Sequence, residues 1–173
     1  MSRAASSPSS RPPGPFRYVR WEPRLYPGLL NRTSRVRADI RTDLKGFPDD
    51  LVDDIELAAS ELHANAVRYT ASGEPGGEVT RRLSLPAPGR VRLEVTDGGW
   101  AETRPRVPDR DSTHWVEAEG QRGLLLISAL AVEWGYYQVL PHPWLNLGLG
   151  VWADFAVAPE AVPPGLDQFV FTS

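Results

Sequence analysis

The stretch "ASELHANAVRYT" (residues 59–70) places a carboxylate and an amide in a segment that otherwise favours burial. Glu61 and Asn65 are four residues apart, so on a helix both side chains project from one face. The alanine, leucine and valine residues around them are typical of a helix that packs against a core. The pattern therefore predicts either a polar site or a solvated helix edge, and this helix alone does not decide between them.

Two helices are predicted in this half of the chain. The longer one covers residues 49–69, because Pro48 suits a first helical turn and Asp49 and Asp50 suit the positive end of the helix dipole. The shorter one covers residues 31–45, with Asn31 as its N-cap and Gly46 after its end. Arginines lie on its outer face, which is either simply solvated or a docking surface for an acidic partner; they are Arg32, Arg35, Arg37 and Arg41.

Five segments are predicted to be strands, and one more to be a helix. "VTRRLSL" (79–85) and "RVRLEVTD" (90–97) alternate around the turn "PAPG", which predicts an antiparallel hairpin. The other strands are predicted at 16–23, 136–141 and 147–157, and the third helix at 123–133. Residues 1–15 are rich in Ser, Pro and Arg and are interpreted as a loose tail. Residues 159–173 are Pro-rich with a hydrophobic end and are either a tail or an added strand, which leaves a domain at 16–158.

Composition excludes several functional classes. The chain has 173 residues, with 19 basic and 22 acidic side chains, so it lacks the positive field expected of a protein that binds nucleic acid directly. It has no cysteine and only three histidines, which excludes disulfides and a structural zinc site. No apolar run predicts a signal peptide or a membrane span, so we expect a cytoplasmic protein.

Two further motifs follow the Glu61 helix. Asp97-Gly98-Gly99 stands at the end of a predicted strand, and Gly120-Gln121-Arg122-Gly123 stands at the start of the third helix. Each motif alone has an ordinary explanation, since Asp-Gly is a frequent turn and glycine often borders a helix. Together with Glu61 and Asn65, their order and spacing form a more specific combination.

This combination resembles the GHKL, or Bergerat-fold, ATPase superfamily, and within it the bacterial anti-sigma-factor serine kinases. The resemblance covers roughly residues 30 to 157. It implies an α/β two-layer sandwich whose mixed, mostly antiparallel sheet carries helices on one face. It also implies ATP and Mg²⁺ as ligands, and a loop before Gly120, containing Trp100 and Trp115, that serves as an ATP lid.

The resemblance also implies a role for each motif residue. Glu61 is the candidate catalytic base and Asn65 the candidate Mg²⁺ ligand, while Asp97 accepts a hydrogen bond from the adenine amine. Glycines let the backbone approach the nucleotide, and the first turn of the third helix offers unpaired amides to phosphate. The expected nucleotide-binding residues are Asn65, Asp97, Gly99, Gly120, Arg122, Gly123 and Leu124.

Three positions depart from the family pattern. Ala101 and Gln121 stand where relatives have glycine, and Gly150 stands where relatives often have a threonine near adenine. Two functions therefore stay open. The first is an ATP-dependent serine/threonine kinase that binds a sigma factor or other transcription regulator, phosphorylates an antagonist protein and is a candidate homodimer. The alternative is a non-catalytic protein-interaction module with weak or no ATP binding.

Overall fold

The computed structural model describes residues 21–99, 119–139, 148–164 and 166. The predicted tail at 1–15, the first part of the strand at 16–23 and the proposed lid with Trp100, Ala101 and Trp115 lie outside these residues. Eight helices and strands follow one another in the order β1 (Arg24–Pro27), α1 (Thr33–Asp43), α2 (Asp49–Tyr69), β2 (Glu78–Ser84), β3 (Arg90–Thr96), α3 (Glu119–Leu130), β4 (Glu133–Gln138) and β5 (Leu149–Ala156).

The five strands form one sheet in the order β1-β2-β3-β5-β4, and each neighbouring pair is antiparallel. The predicted two-layer α/β sandwich is confirmed, although the described strands include no parallel pair. The alternation of β3 explains the layering, because Val91, Leu93 and Val95 point to the core while Arg92 and Glu94 point to the other face. Since Asp97 follows β3 and Leu149 begins β5, the end of one strand lies beside the start of the other.

Helix α2 is the central element of the helical layer. It runs over Asp49–Tyr69, as the sequence predicts, with Asp49 and Asp50 in its first turn. Ile55, Ala58 and Ala59 are completely buried, and the small alanines let the helix lie close to the sheet. Glu61 and Asn65 therefore stand on a helix whose position is fixed by the core.

Several predicted boundaries are wrong. Residues 21–23 are not part of a strand, and the edge strand β1 comes later, over Arg24–Pro27, where Tyr26 is buried against the helical layer. Asn31 does not cap α1; it lies in a 3₁₀ turn, and α1 begins at Thr33. The tail expected from residue 159 also packs in part, because Ala161, Val162 and Leu166 lie against the core.

The C-terminal half shows larger shifts. Helix α3 begins at Glu119 and ends at Leu130, rather than covering 123–133, and β4 covers Glu133–Gln138 rather than 136–141. The helix stops because Trp134 is completely buried in the sheet, next to Ala153 of β5. Tertiary packing thus overrides a local apolar pattern that is compatible with a longer helix.

A buried ion cluster joins the sheet to α1. Arg81 of β2, which is 1% exposed, points to the helical layer, where its guanidinium pairs with Asp43 at 2.5 Å. Arg24 of β1 pairs with the same carboxylate. Burial works against ionisation of Asp43, but the hydrogen bonds from these two arginines outweigh it and lower the pKa of the carboxyl group. The cluster fixes α1 over strands β1 and β2.

Candidate functional site

Glu61 and Asn65 lie on the part of α2 that faces α3. Both are half-buried, and both stand close to Gly123 of α3. A Cβ atom at position 123 would lie 2.8 Å from Oε2 of Glu61 and 3.4 Å from Nδ2 of Asn65. The glycine therefore lets the backbone of α3 approach the two polar side chains, and the first and third sequence motifs meet at this contact.

Asp97 is held by backbone amides on both sides. Its Oδ1 atom accepts hydrogen bonds from the amides of Gly99 and Leu149, each at 2.9 Å. Gly99 is buried and has a φ of 88°, a conformation that side chains disfavour. Burial raises the pKa of Asp97, while the two amide bonds act in the opposite direction. Among the described residues, both of these hydrogen bonds go to the same carboxylate oxygen.

The loop around Asp97 is also tied to the end of α2. The amide of Ala71 donates to the carbonyl of Gly99 at 3.0 Å, and the amide of Gly98 donates to the hydroxyl of Ser72 at 2.8 Å. The second motif therefore lies at the C-terminal end of the helix that carries the first motif. All three motifs therefore lie around the second half of α2. Because they are far apart in the sequence, the sequence alone does not determine this arrangement.

The third motif differs from its predicted form. Gly120 and Gly123 do not flank a helix entrance, because α3 begins at Glu119 and both glycines lie within it. Arg122 is exposed and Leu124 is buried in the core. Glycine is a poor helix former, so the sequence places the helix start too late. The unpaired amides of the first turn belong to residues 119–122 rather than to the residues after Gly123.

The position beside Asp97 on the last strand is also different from the predicted one. Gly150 points to the sheet face away from the helices, where a Cβ atom would lie 2.5 Å from two ring atoms of Tyr137. Leu149, one residue earlier, accepts the Asp97 amide with its carbonyl, donates its own amide to Oδ1 of Asp97, and packs against the core. Leu149 and Ser72 are the site residues that sequence reasoning missed. The strand period of two could have identified Leu149 once the register was known.

The Tyr137 ring fills the space over Gly150. Burial, with the neighbouring carboxylate of Glu94, raises the pKa of Tyr137 to about 12. Gly150 is therefore explained by packing on the outer sheet face, and its lack of a side chain opens no space beside Asp97.

The site offers few donors to a metal ion. Within the described ranges, no group of three or more His, Asp or Glu side chains lies close enough together to hold one. Asn65 and Glu61 offer one amide oxygen and one carboxylate. No helix of the described part is long and apolar enough to cross a membrane.

Comparison with known proteins identifies the family. The family model described as "Histidine kinase-like ATPase domain" matches residues 26–139. This chain belongs to that family. The match includes Glu61, Asn65, Asp97 and Gly123, and it confirms the resemblance to the GHKL superfamily that the motifs indicate. Strand β5 of this histidine kinase-like ATPase domain lies beyond the matched residues.

One similar solved structure is titled "The crystal structure of the RsbU and RsbW domains of Rv1364c from Mycobacterium tuberculosis". It is 23% identical with a TM-score of 0.48, and the match covers 79% of this chain and 32% of that one. The present chain thus spans about a third of that protein's length. No curated protein matches this histidine kinase-like ATPase domain.

Proposed function

We propose that this histidine kinase-like ATPase domain binds Mg-ATP between α2, the Asp97 loop and α3, and acts as a regulator of the anti-sigma-factor serine kinase type. The observation that carries the proposal is the close approach of Gly123 to Glu61 and Asn65, whose side chains would lie 2.8 Å and 3.4 Å from a Cβ atom at position 123. A structural glycine at a helix contact requires only space. A carboxylate and an amide that line the same contact favour a polar ligand over simple packing.

In this proposal, Asp97 recognises the adenine base. Its Oδ1 atom is occupied by the amides of Gly99 and Leu149, so Oδ2 accepts the hydrogen bond from the exocyclic amine. The buried setting strengthens that bond, because little water competes for it. Guanine presents a carbonyl oxygen at the corresponding position, which repels a carboxylate, so the site selects ATP over GTP.

Glu61 serves as the general base. The hydroxyl of a serine or threonine on the antagonist protein attacks the γ-phosphorus, and the Glu61 carboxylate accepts the hydroxyl proton. The bond between the γ-phosphorus and the β,γ-bridging oxygen breaks, and the products are ADP and the phosphorylated antagonist. The contact with Gly123 limits where the carboxylate can lie, which favours a defined direction of proton transfer.

Asn65 is the protein ligand that we assign to Mg²⁺. When bound, Mg²⁺ would neutralise charge on the phosphates, and it prefers oxygen ligands while keeping several waters. A single amide oxygen from the protein fits a metal that takes most of its ligands from nucleotide and water. The amide oxygen of Asn65, one helical turn from Glu61, is the ligand that the protein supplies.

A partner surface lies on the other side of the helical layer. Of the four arginines predicted on the outer face, Arg37 and Arg41 pair with Glu56 of α2. Arg35 pairs with Asp39 of its own helix at 3.0 Å, and Arg32 lies in the 3₁₀ turn before α1. Arg32 and Arg35 line a cavity of about 350 Å³ beside the edge strand β1, and the nearby Leu25, Leu29 and Leu30 are exposed. We assign this surface to a sigma factor or other transcription regulator with acidic and apolar side chains.

A non-catalytic interaction module is the second candidate. Leu149 favours it, because an apolar side chain beside Asp97 offers the base no second polar contact. In that case the surface around Arg32 and Arg35 still binds the partner, without phosphate transfer. The two candidates differ in whether the protein binds Mg-ATP and transfers phosphate.

Calorimetry with Mg-ATP, followed by a screen of antagonist proteins for transfer of labelled γ-phosphate to serine or threonine, tests the proposal. We expect wild-type binding, loss of transfer but not of binding in Glu61→Gln, and a smaller difference between Mg²⁺ and EDTA conditions in Asn65→Ala. Glu133→Gln, an exposed glutamate at the start of β4, is the matched control and should behave as wild type. Wild-type protein that binds no ATP at millimolar concentration would leave the interaction module as the function.

A further inference from the structure

The turn after α2 is anchored to the helix that carries Glu61 and Asn65. The hydroxyl of Thr70 donates to the carbonyl of Ala66 at 2.7 Å and accepts the amide of Ser72 at 3.1 Å. The backbone from Ala66 to Ser72 is thereby joined to the last turn of α2. These two bonds connect Ser72 to the last turn of α2.

Ser72 connects this turn to the Asp97 loop. Its side chain is completely buried, and its hydroxyl donates to the carbonyl of Glu78 at 2.7 Å while it accepts the amide of Gly98 at 2.8 Å. A hydroxyl has one proton and two lone pairs, so it can do both at once. Alanine can do neither. The amide of Gly98 comes immediately after Asp97, so the hydroxyl fixes the backbone on one side of the base-reading carboxylate.

The neighbouring backbone packs closely around Ser72. A Cβ atom at Gly28 would lie 1.5 Å from the Ser72 carbonyl oxygen, and one at Gly77 would lie 2.3 Å from it. The amide of Gly28 also donates to the carbonyl of Gly77 at 2.8 Å. Three backbone segments thus meet around one residue, which has no side-chain role in the core beyond its two hydrogen bonds.

We propose that Ser72 is a positioning residue for adenine recognition, which holds the Asp97 loop at a fixed place relative to α2. The inference rests on the proposed ATP site and adds a residue that does not touch the nucleotide. Without the hydroxyl, the amide of Gly98 loses its partner and the backbone beside Asp97 gains freedom. Contacts with the triphosphate lie on α2 and α3 and do not depend on this bond. Loss of Ser72 should therefore reduce discrimination between bases more than binding of phosphate.

The experiment compares Ser72→Ala with Ser84→Ala, which alters a buried serine of β2 outside the proposed site. Calorimetry with Mg-ATP, Mg-GTP and magnesium tripolyphosphate gives three affinities, and NMR hydrogen exchange gives the protection of the Gly98 amide without nucleotide. For Ser72→Ala we expect about ten-fold weaker ATP binding, the equivalent of one buried hydrogen bond, with an ATP-to-GTP ratio lowered by a similar factor. Tripolyphosphate affinity should stay unchanged, and Gly98 should exchange at least about ten-fold faster.

Each outcome decides a different claim. A Ser72→Ala protein with the wild-type ATP-to-GTP ratio, or with unchanged Gly98 exchange, overturns the positioning role. Wild-type protein that binds tripolyphosphate and GTP as well as ATP overturns the proposed adenine site itself. If Ser72→Ala does not fold, Thr70→Val serves instead, because it keeps the side-chain shape and the Ser72 hydroxyl but removes the Thr70 hydroxyl, with its bonds to the Ser72 amide and the Ala66 carbonyl. Thr70→Val should lower the ATP-to-GTP ratio in the same direction by a smaller factor, and an unchanged ratio would again reject the inference.

Discussion

Gly123→Ala tests the contact on which the proposed site depends. The new Cβ atom would lie 2.8 Å from Oε2 of Glu61, 3.3 Å from the Cβ of Glu61 and 3.4 Å from Nδ2 of Asn65. The carboxylate is the flexible end of a side chain and can rotate away. The Cβ of Glu61 cannot, because it is fixed to the backbone of α2. The variant therefore forces the carboxylate out of its position and moves α3 by a few tenths of an ångström.

Two opposing terms set the change in stability. Alanine in place of glycine within a helix stabilises it by about 1 kcal/mol, whereas overpacking costs about 1–3 kcal/mol. The free energy of unfolding should thus fall by no more than about 2 kcal/mol, and the variant should fold. Phosphate transfer should fall far more, by about 100-fold, because a catalytic group displaced by about 1 Å loses that much rate.

The assay is a double-mutant cycle with Glu61→Ala, measured by urea unfolding. Removing the carboxylate relieves the crowding, so Gly123→Ala should cost at least about 0.5 kcal/mol less in the Glu61→Ala protein than in wild type. Ala129→Gly, on the exposed face of α3, measures the helix-propensity difference in the same helix. Additive effects of the two mutations would refute the contact, and a fully active Gly123→Ala protein would refute its role in positioning Glu61.

Three further predictions concern single side chains. Asp97→Asn should weaken Mg-ATP binding about 10- to 100-fold in calorimetry. The melting temperature should stay nearly unchanged, because an amide oxygen still accepts the two backbone hydrogen bonds. Unchanged affinity would count against the role of Asp97 in adenine recognition. Asp154→Ala should lower the free energy of unfolding by about 3 kcal/mol, because the buried Arg92 guanidinium loses its carboxylate partner. In wild type, Nε and Nη2 of Arg92 donate to the two Asp154 oxygens at 2.5 and 2.7 Å. A loss below about 1 kcal/mol in urea unfolding would contradict this. Burial lowers the pKa of His63, so the unfolded chain takes up a proton first as pH falls below about 6.5. Wild-type stability should then decrease by up to about 1.4 kcal/mol per pH unit relative to His63→Gln, and parallel curves from pH 7 to 5.5 would exclude the effect.

The helices and the central hairpin were accessible from sequence because their signals are local. The 21 residues of α2 have both a start signal at Pro48 and an uninterrupted apolar stripe, and β2 and β3 alternate on each side of a turn. The predicted boundaries of helices and strands were wrong where packing in the core determines them. Trp134 belongs to β4 because its indole fills the space under the sheet, although the residues before it would continue a helix.

The candidate site divides in the same way. Glu61, Asn65 and Asp97 were identifiable because their side-chain chemistry appears in the sequence itself. Ser72 was not, since a serine in a turn is ordinary until its hydroxyl is found between Gly98 and Glu78. The position beside Asp97 was assigned to Gly150 instead of Leu149, because a shift of one residue along a strand moves a side chain to the opposite face.

By itself, the sequence of this histidine kinase-like ATPase domain determined which residues carry polar chemistry and which faces of the helices and strands are apolar, because both depend on residue type and spacing. Tertiary structure alone decided that Gly123 contacts Glu61 and that Ser72 fixes the Asp97 loop. Those contacts join segments far apart in the chain. Their distances depend on how closely two backbones approach and on strand register, which no local pattern specifies.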